Sequence, residues 1–140
     1  MIEKEDTVLV IDAGPDFRQQ MLRENVRKLD AILLTHEHRD HIAGLDDVRA
    51  FNHKSHDAID IFAEERVQKE VRKDYSYVFA RYQYPGIPKM RLNTIGDNNF
   101  TIGRLVLTPL RVCPLYPSDA ADDLLRVDPG GRRITQQKQT

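Results

Sequence analysis

The sequence predicts an α/β protein, and three observations predict it. Thr7–Ile11 and Ala31–Leu34 are short apolar runs bounded by polar or turn-forming residues, the signature of buried strands. Between them, Phe17, Met21, Leu22 and Val26 recur near helical spacing. A strand–helix–strand order of this kind builds a layered α/β arrangement.

In chain order, Thr7-Val8-Leu9-Val10-Ile11 ends at Asp12-Ala13-Gly14-Pro15, whose composition is that of a turn. Asp16 is placed to cap a helix running to about Arg27. Lys28-Leu29-Asp30 leads into the second strand, Ala31–Leu34. A further helix is expected over Ile42–Phe51, with Gly44 marking a point where the backbone must approach a neighbour closely. Asn52–Asp57 is polar and reads as a loop, Ala58–Ala63 as a third strand, and Glu64–Phe79 as a helix with Val67, Val71, Tyr75 and Val78 along one side. Two prolines and a glycine make Tyr84–Pro88 a loop. Leu92–Ile95, Phe100–Ile102 and Leu105–Leu110 read as strands, with turns at Asp97-Asn98-Asn99 and Gly103-Arg104.

Composition narrows the class. The 140 residues suffice for one domain, and 40% hydrophobic with 31% charged residues is ordinary for a soluble globular chain. A net charge of −1 gives no basic footprint for nucleic acid or an anionic membrane. No apolar run reaches the length of a membrane span, and the charged N-terminus Met1–Asp6 has no apolar signal core. A single cysteine, Cys113, excludes an intrachain disulfide framework. These features fit a cytoplasmic protein.

The chemistry concentrates in Thr35-His36-Glu37-His38-Arg39-Asp40-His41. Three imidazoles and the Asp40 carboxylate fall within six positions, directly after a buried strand. Neutral imidazole and carboxylate are the usual ligands of zinc and related divalent metals. A loop leaving a strand can curl so that His36 and His38 face one metal while Asp40 and His41 face a second. Two such ions about 3.5–4 Å apart share a hydroxide and clamp the oxygens of a scissile ester or phosphodiester. A histidine-rich surface loop is the plain alternative, and the adjoining strand together with the upstream Asp12-x-Gly14 turn weighs against it. Glu37 and Arg39 alternate with the ligands and read as solvated charges. At least one of Asp46 and Asp47 reads as helix surface, His53 and His56 as exposed, and Tyr75, Tyr77, Tyr82 and Tyr84 as half-buried packing.

The same seven residues resemble the His-x-His-x-Asp-His signature of the metallo-β-lactamase-fold hydrolases, and Val8–Gly14 resembles the segment that precedes it. Asp12-Ala13-Gly14-Pro15-Asp16-Phe17-Arg18 and His41-Ile42-Ala43-Gly44-Leu45-Asp46-Asp47 are similar to the branch containing the phosphoribosyl cyclic phosphate phosphodiesterases. The resemblance implies an αββα fold and a di-metal phosphodiesterase using a metal-activated hydroxide, with zinc or manganese. It places His36 and His38 at the first metal and Asp40 and His41 at the second, with Asp40 also positioning or deprotonating the attacking water. Asp12 would orient a ligand imidazole by accepting its other N–H; a turn-forming Asx residue is the equal alternative. A small-molecule phosphodiester or ester is the expected substrate, with a thioester or ester hydrolase or a non-catalytic metal-binding module as alternatives. Nucleic-acid processing is disfavoured by the charge, and a homodimer is left open for a full-length form.

The resemblance covers about residues 7–112, and the expectation is the N-terminal part of a longer domain, an incomplete sandwich. The family carries a further histidine, a bridging aspartate and a last histidine after the signature, yet no histidine follows His56. Cys113-Pro114-Leu115-Tyr116-Pro117 occupies the place where one of them is expected, and Asp119, Asp122, Asp123 and Asp128 lie outside any matching motif. Residues 113–140 read as a non-native or disordered tail, of which Cys113–Asp122 and Val127–Ile134 look like a translated sequencing-library adapter. The resulting expectations are an apolar sheet face left open, unpaired strand edges, weak metal binding, marginal stability and little turnover.

Overall fold

The computed structural model describes residues 1–110 and, for its backbone, the strand Leu125–Val127. Strands β1 (Ile2–Lys4), β2 (Thr7–Ile11), β3 (Ala31–Leu33), β4 (Ile59–Ala63) and β5 (Met90–Thr94) form one sheet in that spatial order. The β1–β2 pair is antiparallel and the other pairs are parallel. A second, antiparallel sheet holds β6 (Phe100–Ile102), β7 (Leu105–Pro109) and β8 (Leu125–Val127) in order. The helices are α1 (Phe17–Arg23), α2 (Arg39–Ile42), α3 (Arg49–Ser55) and α4 (Glu65–Asp74).

The apolar runs form central strands because both faces of the first sheet are covered. Side chains alternate along a strand. Val10, Ile32, Ile59 and Ile61 therefore pack with Phe17, Phe51, Val67 and Val71 of the helices. Leu9, Ala31 and Leu33 point the other way, onto Ile102, Leu105 and Leu107 of the second sheet. Phe62 and Phe100 stack across this gap, with ring centroids 5.3 Å apart. The result is a helix layer, a mixed sheet and a second sheet packed on it.

Several boundaries differ from the sequence reading, each for a local reason. The charged N-terminus contributes β1, turned back onto β2 through Glu5 and Asp6, both at positive φ. The first helix stops at Arg23, with Asn25 in the left-handed region at φ 51° and Asp16 making no side-chain cap bond. The single helix expected over Ile42–Phe51 is three pieces: α2, a 3-10 turn at Leu45–Val48, and α3. Asn52–Asp57 is not a loop throughout, because α3 runs to Ser55. Asn52 is buried there: its amide donates to the carbonyls of Asp57 and Lys89, and its oxygen accepts from the Lys89 N–H. The helix expected over Glu64–Phe79 ends at Asp74 and is followed by a 3-10 turn at Ser76–Val78.

Tyr75 is buried, whereas Tyr82 and Tyr84 are fully solvent-facing rather than half-buried. On the outer face of β6 and β7, Val106 is exposed and its cross-strand neighbour is Thr101. Within the stretch read as a tail, Leu125–Val127 pairs with Leu107–Pro109. The remaining expectations for residues 113–140 lie outside the described residues. Among the described residues, no helix is long and apolar enough to cross a membrane.

Candidate active site

Parallel pairing of β2 with β3 brings the segments that follow them to the same edge of the sheet, the edge where α/β sheets bind ligands. Asp12 leaves β2 and Thr35–His41 leaves β3. Two backbone bonds strap these segments together: the Ala13 N–H donates to the His41 carbonyl at 2.8 Å, and the Gly44 N–H to the Ala13 carbonyl at 2.8 Å. The approach is too close for side chains. A Cβ on Gly14 would stand 2.3 Å from the Asp40 carbonyl oxygen, and one on Gly44 would stand 2.1 Å from the Gly14 oxygen.

Asp12 takes a left-handed backbone, φ 60°, which Asp tolerates better than most residues. Its carboxylate faces the loop and is the hub of the site. Oδ1 accepts the Thr35 N–H at 2.8 Å, and Oδ2 accepts the Thr35 hydroxyl at 2.8 Å and the His41 Nδ1–H at 2.8 Å. The Thr35 hydroxyl has one proton, and a carboxylate can only accept. Oγ1 therefore accepts in turn from His36 Nδ1 at 2.9 Å. Both imidazoles thus carry a proton on Nδ1, leaving Nε2 as the nitrogen that can serve as a ligand. Asp12 accepts the His41 Nδ1–H, as one of its two sequence readings expects, and among the described residues its carboxylate closes no turn on its own backbone.

The rings cluster. His36 is 3.9 Å from His41 and 4.6 Å from His38, centroid to centroid. His36 is buried at 3% exposure, while the Asp40 side chain is 75% exposed, and His38 is exposed with it. Asp40 Oδ2 lies 3.3 Å from His41 Nε2. With a neutral His41 these are two electron-pair donors turned toward each other, an arrangement a cation stabilises. Among the described residues, however, no three His, Cys, Asp or Glu side chains stand in a geometry that holds a metal ion. His53 lies on α3, and His56 ends that helix at φ 60°.

Helix α4 and the turn after it support the loop from one side. Glu37 is half-buried and paired with Arg66, so it is held rather than freely solvated; Arg39 is exposed and pairs with Asp74 at 3.2 Å. The Tyr75 hydroxyl donates to the Ile42 carbonyl at 2.6 Å, next to His41. Burial, then the nearby Asp46 carboxylate, push the Tyr75 phenol up to about 12. Tyr77 donates to the exposed Asp46, and burial followed by that bond raises its pKa as well. The sequence reading assigned no role to Thr35 or to the Tyr75 hydroxyl. For Thr35 the only signal was a short hydroxyl directly before the first histidine; for Tyr75 there was none beyond a place on the apolar side of a helix.

Comparison with known proteins identifies the family and the fold. Residues 7–138 match the beta-lactamase superfamily domain. A curated octanoyltransferase from Porphyromonas gingivalis is 42% identical over 105 residues, which span 74% of this chain and 21% of that protein. A diphosphatase of the PhnP family superposes with a TM-score of 0.65 at 29% identity, covering 76% of this chain and 40% of its own. Zinc-bound PqqB from Methylobacterium extorquens has the same fold, with a TM-score of 0.60 at 22% identity over 79% of this chain and 40% of that one. The chain thus spans less than half the length of each of these relatives. With a family match over nearly all of its length and a metallo-β-lactamase-type arrangement of sheets and helices, the chain belongs to the beta-lactamase superfamily domain family.

Proposed function

We propose that this chain carries the ligand loop of a metal-dependent hydrolase acting on a small phosphodiester, with His36, His38, Asp40 and His41 as the ligands of two divalent ions. The observation that carries the reading is the Asp12–Thr35 relay, which sets the Nδ1–H tautomer on both His36 and His41. Imidazoles ordered this way by a carboxylate are the usual arrangement around bound zinc, and the negative partner strengthens the ring as a donor. Imidazole and carboxylate together suit zinc or manganese. A divalent ion at such a site lowers the pKa of water to about 7 and offsets charge on a phosphoryl oxygen.

The chain's own contribution is to hold the rings, to keep His36 from bulk water, and to leave Asp40 exposed beside His41 to take a proton from the attacking water. The 29% identity to a diphosphatase supports a phosphate ester as substrate. Ester or thioester hydrolysis is the second reading, favoured by the 42% identity to a protein named for acyl transfer.

The test is a zinc and manganese titration of the purified chain with parallel assays on bis(p-nitrophenyl) phosphate and p-nitrophenyl butyrate. Saturable metal binding that is lost in H36A and H41A, with hydrolysis confined to the phosphodiester and lost in D40N, supports the reading. Hydrolysis of the butyrate alone selects the second reading, and metal binding without hydrolysis selects a non-catalytic module. Absence of metal binding refutes all three.

A further inference from the structure

On the helix layer, α1 and α3 leave a cavity of about 620 Å³ between them, closed at one side by Gly86. Its floor is carbon: Phe17, Met21 and Phe51 are buried against it, and Leu22, 64% exposed, stands at its mouth. Arg18, Arg49, His53 and Lys54 line it from exposed positions, against the single carboxylate of Asp47. Most basic side chains elsewhere have found a partner: Arg23, Lys28, Arg39, Arg66, Lys69, Lys73, Arg91 and Arg104 all sit in ion pairs. Arg18, Arg49 and Lys54 are in no ion pair or hydrogen bond among the described residues. Three permanent cations therefore surround an apolar hollow. None of His36, His38, Asp40 or His41 lines it.

We propose that this cavity is a binding site for a small amphipathic oxyanion, an apolar chain ending in a carboxylate or phosphate. The volume lies within the range of about 300–1,000 Å³ typical of small-molecule sites. The apolar chain would lie along Phe17, Met21 and Phe51 and cover Leu22, the exposed apolar side chain at the mouth. The head group would neutralise Arg18, Arg49 and Lys54, for which two arginines offer bidentate geometry. A neutral or cationic ligand of the same length satisfies the floor but not the rim.

Calorimetric titration of the full chain with decanoate, decyl phosphate, decanol and decyltrimethylammonium tests this. Saturable one-to-one binding of decanoate or decyl phosphate, at least tenfold tighter than decanol and the ammonium, is expected. The double charge reversal R49E/K54E, at two exposed positions, should weaken it at least tenfold at an unchanged melting temperature. R18E is an independent second variant with the same expected direction. Binding of only one of the two oxyanions identifies the head group. The proposal is overturned if neither binds, if the ammonium binds as well as the oxyanions, or if R49E/K54E and R18E leave affinity unchanged. Concentration-dependent dimerisation abolished by L22E would assign the cavity to a second copy of the chain and overturn it as well.

Discussion

The site has two halves, and they are built differently. His36 and His41 sit against the sheet edge, each with Nδ1 fixed through Asp12, on a backbone strapped at Ala13 and Gly44. His38 and Asp40 face solvent on the same loop, and among the described residues no carboxylate or hydroxyl hydrogen-bonds to them. The difference shows what the contact between neighbouring strands organises. His36 and His41 reach Asp12 at the end of β2, through Thr35 or directly, and the residues between them on the loop do not. The inner pair is preorganised by that long-range contact; the outer pair needs further structure to hold it.

Five substitutions break or sharpen this contrast. Gly44→Ala should do most damage, because its Cβ would meet the Gly14 oxygen at 2.1 Å and Phe17 Cβ at 2.6 Å. The backbone cannot yield there without moving the inner half, and urea denaturation should show a loss of about 3 kcal/mol. Asp12→Ala comes next. It strands the Thr35 N–H, the Thr35 hydroxyl and His41 Nδ1, for an expected loss of about 2 kcal/mol and a metal affinity lower by about 10–100-fold in a zinc titration.

Tyr75→Phe should cost about 1 kcal/mol by removing the buried bond to Ile42. It also carries a pH signature. The Tyr75 phenol is raised from 10.0 to about 12 in the fold, so its stabilising contribution is intact below the unfolded value and is lost as pH rises from 10 toward 12. The variant should lose less stability than the parent over that window in chemical denaturation at stepped pH. Last, His38→Ala and Asp40→Asn should move stability by no more than about 0.5 kcal/mol while still weakening zinc binding. A large stability loss from either would erase the distinction between the halves.

The legible parts of the fold are those where one residue pattern has one physical outcome. β2 and β3 read correctly because strands covered on both faces are apolar almost throughout, and β4 because its buried Ile59, Ile61 and Ala63 alternate with half-buried positions. Gly44 read correctly as a close approach. β1 was invisible because its pairing depends on a turn at Glu5 and Asp6 and not on its own composition. The end of α3 was misread because Asn52 looks polar in sequence but spends its amide on the Asp57 and Lys89 backbone. For the site, the clustering of imidazoles was legible from their spacing. The relay through Thr35 was not, since it requires knowing that β2 and β3 are neighbours.

The most direct measurement is a long-range proton–nitrogen correlation spectrum of the histidine side chains, recorded without metal and during zinc addition. His36 and His41 should both show the Nδ1–H tautomer before zinc, with their Nε2 signals shifting in a saturable manner as zinc is added. Nε2–H tautomers at these two residues, with no response to zinc, would contradict a metal centre organised by Asp12.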